Sequence, residues 1–482
     1  MITLRSYVKG SWVEGQGARS TLVNPATEEP LAEAGTGGVD FRGTLDHARD
    51  VGGPALRELT FAQRGELLRA ISRLIHKNRD ALIEPARDNG GNTRSDAKFD
   101  IDGASGTLAA YADVAAQLGA VKHLADGEGV ALGRSARWFG QHVLMPREGV
   151  AVHVNAFNFP AWGFAEKAAV ALLAGMPVVS KPATATALLT YRIMELIVEA
   201  KILPEGALSF LAGGAGDLLH HLGGQDVLAF TGSLATACEL RALPNLHRGS
   251  VHVNIEADSL NAAVLAPDVE RGSPTWDQFV SDLVKEMTQK TGQKCTAVRR
   301  VMVPESLVDV VTEEMSDRLS LVKVGDPARE EVTMGPLSTA SQLRDMRAGL
   351  ARLRAEAEAV FGGDGSVTPI GGVEGKGFFV GPVLLRCNNP AAAEAVSRCA
   401  LAPTAARKFP ADVSAASTAG GLTLRGVLAV FAAPAPPART RAIMATGKRT
   451  RASLVTGAQV SQQGARQCAA ASPMRNTVRG LE

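Results

Sequence analysis

Hydrophobic residues recur along the chain with two different spacings, and these predict where helices and strands lie. Between residues 41 and 120, apolar residues return every three or four positions, as in the stripe from Leu68 to Ile75, which is typical of amphipathic helices. Residues 1–40 instead alternate apolar and polar positions around a Gly-Ser turn, which predicts an antiparallel opening. No candidate chemistry stands out in this first part, so we expect it to be scaffold.

From residue 149 the pattern changes to short, wholly apolar runs that alternate with helical spacing. A wholly apolar run predicts a strand buried on both faces, and such strands alternating with helices predict a parallel, doubly wound sheet. The predicted fold class is therefore α/β. The predicted strands cover residues 149–154, 177–180, 208–211, 227–230 and 251–255, and the predicted helices cover residues 161–174 and 187–200.

Ligands of a doubly wound sheet bind at the carboxyl ends of its strands, so the residues there are the candidates for binding. Lys181, Gly214, Gly232 and Ser233 follow successive predicted strands. Glycine lets backbone N–H groups approach a phosphate, helix N-termini favour its negative charge, and lysine neutralises it. Each residue alone is more simply explained as a turn or cap residue, and no G-x-G-x-x-G fingerprint is present. Together they favour a phosphate-bearing cofactor.

A second predicted α/β region follows, and one of its loops carries a cysteine. Cys295 lies just after Gly292, between a predicted helix and a predicted strand. A cysteine there can be a nucleophile facing a cleft, or a small buried apolar residue, which is the commoner role. The predicted strands cover residues 262–265 and 301–304, and the predicted helices cover residues 276–287, 307–319 and 341–360.

Three candidate side chains together suit one reaction. They are Asn158, Glu256 and Cys295. A thiolate attacks a carbonyl, and the resulting oxyanion needs donors such as the Asn158 amide and the Cys295 backbone N–H. The thiohemiacetal can pass hydride to a nicotinamide, which leaves a thioester for Glu256 to hydrolyse as a general base. The set fits aldehyde oxidation, although spacing alone does not show that the three side chains meet.

Composition and cysteine usage narrow the possible classes of protein. The 482 residues suggest two or three domains, and five cysteines without a C-x-x-C pair argue against a disulfide framework or a structural zinc site. We expect no metal. No run of ~18 apolar residues occurs, so no membrane span is expected. The first residues lack the apolar core of a signal peptide, so a cytoplasmic location is expected.

Over residues 5–390 the chain resembles the aldehyde dehydrogenase superfamily. Within it, the chain is most similar to the phenylacetate-degradation branch, the type found in bifunctional oxepin-CoA hydrolase/semialdehyde dehydrogenases, on stretches such as residues 153–160 and 256–261. The family motifs are Asn24-Pro25-Ala26-Thr27, Asn158-Phe159-Pro160, Lys181-Pro182-Ala183, Phe230-Thr231-Gly232-Ser233, Gly292-Gln293-Lys294-Cys295 and Met334-Gly335-Pro336-Leu337.

The resemblance implies roles for the three candidate catalytic residues and a class of substrate. It implies that Cys295 is the nucleophile, Glu256 the water-activating base and Asn158 the oxyanion donor. The implied substrate is a CoA-linked semialdehyde from a ring-opened aromatic acid. A related branch that acts in benzoate breakdown cannot be separated from the phenylacetate branch by these motifs. A homo-oligomer is also implied.

The resemblance further implies how the cofactor is held. Lys181 would lie near the adenosine ribose, and Gly232 and Ser233 near the pyrophosphate. Many NAD-preferring relatives have a glutamate at the position of Thr184, and its replacement leaves room for a 2′-phosphate, so NADP is favoured over NAD. Ala237 departs from the family, which usually has glycine there.

The resemblance stops after residue 390, and the composition changes with it. Residues 397–482 contain 12 Lys or Arg but only two acidic residues, while the whole chain has a net charge of +2. The Glu-x-Phe-Gly-Pro stretch of the family is missing there. A basic tail can bind nucleic acid, but this one lacks interleaved aromatic residues, so no nucleic-acid partner is expected. Genuine divergence of the tail is a second alternative. We favour a shifted reading frame, which the other frames of the coding DNA would test.

Four segments follow from these observations, together with one competing function. Residues 1–148 are expected to form N-terminal strands and the helical part of the cofactor domain, 149–257 a Rossmann-like domain, 258–396 an α/β catalytic domain, and 397–482 a divergent basic tail. Because the tail is altered, the alternative function is that of a catalytically impaired remnant that binds the cofactor without turnover. A CoA-acylating enzyme is disfavoured, because that chemistry does not need Glu256 as a hydrolytic base.

Overall fold

The computed structural model describes residues 1–135 and 137–387, together with the backbone of residues 427–431. Five short strands open the chain and enter two different sheets. β2 and β3 form a hairpin, whereas β1 pairs with β5 in parallel, so the predicted antiparallel opening is only partly correct. The strands are β1 (Ile2–Leu4), β2 (Ser6–Val8), β3 (Ser11–Val13), β4 (Ser20–Val23) and β5 (Pro30–Ala34).

A layer of helices follows, as the apolar periodicity predicted. α3 begins at a capping box in which Thr60 and Gln63 satisfy each other's backbone N–H groups, and it buries Leu68, Ile71 and Ile75. The helices are α1 (Phe41–His47), α2 (Gly53–Glu58), α3 (Phe61–Lys77), α4 (Arg79–Gly90) and α5 (Arg94–Leu118).

An antiparallel ribbon that the sequence pattern did not reveal follows α5. It consists of β6 (Leu124–Ala131) and β7 (Phe139–Leu144), which pair with each other. Its apolar side chains lie in solvent, with Trp138 68% exposed and Phe139 61% exposed. This exposure explains why no buried strand was predicted there.

The large sheet has seven strands in the order β12-β11-β8-β9-β10-β2-β3. Its first five strands are parallel, which confirms the doubly wound fold. The strand order reverses at β8, and a crevice for ligands is expected at such a point. The elements are β8 (Ala151–Val154), α6 (Trp162–Leu173), β9 (Val178–Lys181), α7 (Ala187–Glu199), β10 (Leu208–Phe210), β11 (Val227–Gly232), α8 (Leu234–Arg241), α9 (Pro244–Arg248) and β12 (His252–Ala257).

A second, five-stranded sheet has the order β13-β14-β17-β16-β15. The helix predicted to reach residue 360 ends at Leu353, because the chain turns into strand β15. The elements are β13 (Asn261–Val264), α10 (Pro274–Thr288), β14 (Val298–Met302), α11 (Val308–Ser320), α12 (Ala340–Leu353), β15 (Glu358–Phe361), β16 (Val383–Cys387) and β17 (Val427–Phe431).

Strand β17 comes from the segment predicted to be a divergent tail. Its backbone pairs antiparallel with both β14 and β16, so this sheet is not confined to residues 258–396. The rest of that segment, including the proposed change of reading frame, lies outside the described residues. Within the described part of the chain, no helix is both long and apolar enough to cross a membrane, and no cluster of potential metal ligands occurs.

Candidate active site

The three candidate catalytic residues occupy one edge of the large sheet. Asn158 follows β8, Glu256 is the penultimate residue of β12, and Cys295 lies between α10 and β14. The buried amide Nδ2 of Asn158 donates a hydrogen bond to the carbonyl of Gln293 at 3.0 Å, which joins the Asn158 loop to the Cys295 loop. Glu256 is near enough for its negative charge to raise the pKa of the Cys295 thiol. The structure therefore brings together residues that spacing alone could not.

The loop that leads to the thiol has an unusual backbone. Lys290, Thr291 and Gly292 have successive φ angles of 54°, 54° and 63°. A β-branched residue rarely adopts this left-handed region, and such strain typically costs ~1–3 kcal/mol. The Thr291 hydroxyl donates to the carbonyl of Gly335 at 2.8 Å, and the backbone N–H of Ser338 donates to Gln293 Oε1 at 3.0 Å. These contacts hold the strained turn in place.

A cluster of buried charges lies beneath this turn. Lys290 is buried, and its Nζ donates to Asn92 Oδ1 at 2.7 Å and lies 4.8 Å from the centre of the Phe159 ring. Burial lowers the pKa of Lys290, whereas the charges of Asp100 and Asp96 raise it. Burial raises the pKa of both aspartates, and the lysine opposes that rise. The two carboxyls and the ammonium thus stabilise one another's charged forms away from solvent.

Asp100 connects this cluster to the Asn158 loop. Its carboxylate accepts hydrogen bonds from the backbone N–H of Trp162 at 2.8 Å and of Ala161 at 3.3 Å, at the start of α6. Our expectation that α5 is only scaffold is therefore incomplete, because α5 positions both loops of the site. Two acidic residues four positions apart, Asp96 and Asp100, share the face of α5 that also carries apolar residues such as Ala97, Ile101 and Ala104, and they were the available signal.

The backbone of the Cys295 loop is also fixed by two residues at the start of β13 and in the turn before it. Ser259 Oγ and Asn261 Nδ2 each donate to the Cys295 carbonyl at 2.7 Å. Asn261 Nδ2 also donates to the Ala297 carbonyl at 3.1 Å. These two residues had no predicted role, although they belong to the stretch 256–261 that carried the family resemblance. They orient two peptide groups on the C-terminal side of the thiol.

Burial and two carboxylates raise the pKa of the Cys295 thiol to about 11, so the thiol is protonated at neutral pH. Burial is the largest cause, and the charges of Glu166 and Glu256 add to it. Glu166 was not predicted to be part of the site. It lies on α6, where its carboxylate accepts a 3.0 Å hydrogen bond from Lys167 Nζ. Formation of the thiolate therefore depends on a change in the surrounding charges.

Removing the charge of Glu166 is expected to make the thiol more acidic. In Glu166→Gln the thiolate loses a repulsive neighbour, so the pKa of Cys295 falls and alkylation by iodoacetamide at pH 8 speeds up about threefold to tenfold, as expected for charges interacting by roughly 1 kcal/mol. The measurement is the pH dependence of Cys295 alkylation, followed by mass spectrometry. Glu199→Gln, an exposed change on α7, is the matched control. An unchanged alkylation profile for Glu166→Gln would contradict this assignment.

Lys181 and Thr184 lie at the end of β9. Lys181 is half-buried, burial lowers its pKa, and it forms no ion pair with another described residue. Thr184 begins the single helical turn that leads into α7. An ammonium group largely removed from solvent without a carboxylate partner fits an anionic ligand such as a phosphate.

The glycines and Ser233 form the remainder of this edge. Gly214 is exposed after β10, and Thr36 Oγ1 donates to its carbonyl at 2.7 Å. Gly232 ends β11, and the Ser233 side chain caps α8 by accepting the backbone N–H of Thr236 at 3.3 Å. Small residues and a helix N-terminus at a strand end fit a pyrophosphate group. Ala237, the departure from the family, is buried in α8.

Comparison with known proteins identifies the group to which this arrangement belongs. The sequence pattern of the Aldehyde dehydrogenase family matches residues 12–395. The chain belongs to the aldehyde dehydrogenase family. The family resemblance and the predicted oxidoreductase acting on aldehydes are therefore confirmed, and the family uses NAD or NADP.

Individual relatives agree with this assignment. This aldehyde dehydrogenase is 47% identical over 393 residues to the 3,4-dehydroadipyl-CoA semialdehyde dehydrogenase of Aromatoleum evansii, a match that covers 82% of this chain and 76% of that protein. Among solved structures, 3,6-anhydro-L-galactose dehydrogenase in complex with NAP is similar at a TM-score of 0.68 and 25% identity, covering 79% of this chain and 77% of that one. A lactaldehyde dehydrogenase is similar at a TM-score of 0.70 and 25% identity, covering 80% and 77%. The predicted fold is thereby confirmed.

Proposed function

We propose that this aldehyde dehydrogenase oxidises a CoA-linked semialdehyde from aromatic-acid degradation to the carboxylate, with NADP favoured over NAD. The observation that carries the proposal is the 47% identity to a protein named 3,4-dehydroadipyl-CoA semialdehyde dehydrogenase. That name supports the substrate of the benzoate branch over that of the phenylacetate branch, between which the motifs could not decide.

In the first half of the reaction, the Cys295 thiol loses its proton to water, the resulting thiolate attacks the aldehyde carbon, and the carbonyl oxygen becomes an oxyanion. The Asn158 amide has two N–H groups, and because one donates to Gln293 the second is available for the oxyanion. The backbone N–H of Cys295 is the other donor. Such donors act where charge develops, and losing one typically costs ~10²–10³ in rate. Bound NADP supplies the hydride acceptor.

In the second half, Glu256 removes a proton from the water that attacks the thioester on Cys295. The half-buried position of Glu256 at the end of β12, near enough for its charge to raise the pKa of the Cys295 thiol, supports this role. This role supports hydrolysis over transfer of the acyl group to free CoA, which would need no such base.

Cofactor binding is assigned to the neighbouring strand ends. Lys181 would neutralise a phosphate on the adenosine ribose, and Thr184 leaves room for it where a glutamate would repel it. Gly214, Gly232 and Ser233 would face the pyrophosphate. Gly213 lies beside this set with a φ of 146°, and a Cβ on it would lie 3.0 Å from the Gly35 backbone, so only glycine suits that turn.

Steady-state kinetics with two cofactors and two substrates test the proposal. We expect kcat/KM with NADP and a CoA-linked semialdehyde to exceed that with NAD by about tenfold or more, because a charge-assisted hydrogen bond contributes ~1.5–3 kcal/mol. Removal of the CoA group should reduce kcat/KM by at least a similar factor, because remote binding energy supports the chemistry. Equal rates with the free semialdehyde would contradict the proposed substrate.

A variant at Thr184 isolates the cofactor preference. Thr184→Glu places a negative charge beside the expected 2′-phosphate and should move the preference from NADP towards NAD, while Thr184→Gln, of equal size but neutral, should move it less. An unchanged NADP-to-NAD ratio in Thr184→Glu would show that Thr184 does not face the ribose.

A cofactor-binding remnant without turnover is the second candidate, and the assembled contacts around Cys295 do not favour it. The domain divisions at residues 148, 257 and 396 and the homo-oligomer stay predictions, as does the cytoplasmic location.

A further inference from the structure

A row of polar side chains crosses the carboxyl end of the large sheet on one face. His153 on β8 is in register with Ser180 on β9, and Thr231 on β11 is in register with Glu256 on β12. Asn155 is two residues beyond His153 along the chain and therefore points to the same face. Registered residues of adjacent parallel strands also share a face, so the row runs from Ser180 to Glu256.

Five polar atoms of this row are buried and have no hydrogen-bond partner among the described residues. They are His153 Nδ1, both side-chain polar atoms of Asn155, Ser180 Oγ and Thr231 Oγ1. His153, Asn155 and Ser180 are at most 4% exposed. Buried polar groups are rarely left without hydrogen bonds, and enclosed water with two to four polar partners is the common way to satisfy them.

Charged groups stand at one end of the row and beside His153. Glu256 is at the end, near the Cys295 thiol. α6 packs over this face, and its Lys167 acts on His153: burial and the lysine charge lower the pKa of His153 to about 3. His153 is therefore neutral, and a neutral imidazole accepts a proton at one nitrogen while it donates from the other. Lys167 in turn pairs with Glu166, whose carboxylate is exposed to solvent.

We propose that enclosed water molecules join Thr231, Asn155, Ser180 and His153 into a relay that carries the proton of hydrolysis from Glu256 towards Lys167 and solvent. This inference rests on the proposed role of Glu256. Water adds its oxygen to the thioester carbon and gives one proton to Glu256. The C–S bond then breaks, which releases the carboxylic acid and the Cys295 thiolate. The relay removes the proton from Glu256 and restores its carboxylate for the next turnover.

Paired variants of His153 separate a relay from a packing role. His153→Leu breaks the row, whereas His153→Gln keeps a donor and an acceptor. In stopped-flow measurements of full-length enzyme with NADP and aldehyde, we expect His153→Leu to keep the rate of the first NADPH burst but to lower steady-state turnover about tenfold or more, the scale of general acid–base effects. His153→Gln should restore most of the turnover. Ser209→Ala, a buried serine on the opposite face of β10, is the control that should behave as wild type.

The outcomes are distinguishable. If the burst and the turnover of His153→Leu fall by the same factor, or if neither changes, the relay is wrong. Should His153→Leu fail to fold, Ser180→Ala tests the same row, with a larger solvent isotope effect on turnover expected and an unchanged isotope effect contradicting the relay. If the wild-type enzyme itself forms no NADPH with any aldehyde, the proposed function fails instead. A crystal structure without ordered water between His153 and Thr231 would also overturn the inference.

Discussion

Replacing Cys295 by alanine removes aldehyde oxidation, with an expected loss in kcat of about 10⁴-fold or more, because removal of a nucleophile leaves only binding and oxyanion stabilisation. The loop geometry supports this expectation: a strained turn, two hydrogen bonds to the Cys295 carbonyl and the tie to Asn158 all converge on this residue. The measurement is NADPH formation from the CoA-linked semialdehyde by purified full-length protein.

The controls for this experiment lie within the same chain. Cys238→Ala alters a half-buried cysteine on α8 and should leave kcat nearly unchanged. Cys295→Ala should still bind NADP, which fluorescence quenching would report. Residual oxidation above one per cent of wild type would mean that another group attacks the aldehyde. Absence of activity in the wild type, with normal NADP binding, would instead support the remnant.

Changing Glu256 to glutamine should separate the two halves of the reaction. The amide cannot accept a proton from water, so hydrolysis of the thioester slows by about 10²–10³-fold while the first hydride transfer remains. We expect one equivalent of NADPH per active site in a rapid burst, followed by very slow turnover. Mass spectrometry after the burst should find the acyl group on Cys295.

Two further observations sharpen the result. Glu270→Gln, at an exposed position away from the site, is the matched control and should show normal turnover. In the wild type, the Glu256 carboxylate raises the pKa of the Cys295 thiol. Its removal lowers that pKa, so the thiol of Glu256→Gln should alkylate faster than that of wild type. A variant that loses burst and turnover together would contradict the assignment of Glu256 to hydrolysis alone.

The parallel core of the fold was predictable because its strands are buried on both faces. Wholly apolar runs such as residues 227–230 are too short for a buried helix and so predict buried strands. Their carboxyl ends located Lys181 and Glu256 before any contact was known. The ribbon of β6 and β7 escaped prediction because its apolar residues face solvent and so lack the usual contrast with polar neighbours.

The residues of the candidate site could be named from the sequence, whereas the contacts that hold them could not. Cys295 belonged to a recognisable motif. The Asp100 contacts with α6 join positions about 60 residues apart along the chain, and the Lys290 contact with Asn92 joins positions 198 residues apart. No local pattern encodes such pairings. Glu166 was missed for the same reason, since its effect on the thiol exists only once the fold brings α6 near Cys295.

The position of β17 carries a consequence for how this half of the protein can change over time. The strand is held between β14 and β16 through main-chain pairing along its length. Main-chain pairing requires an extended backbone with its N–H groups present but no particular side chain, so different extended segments without proline can fill the position between those two strands. A change of sequence around β17 that keeps this backbone extended therefore leaves β14, which follows the Cys295 loop, with its pairing partner.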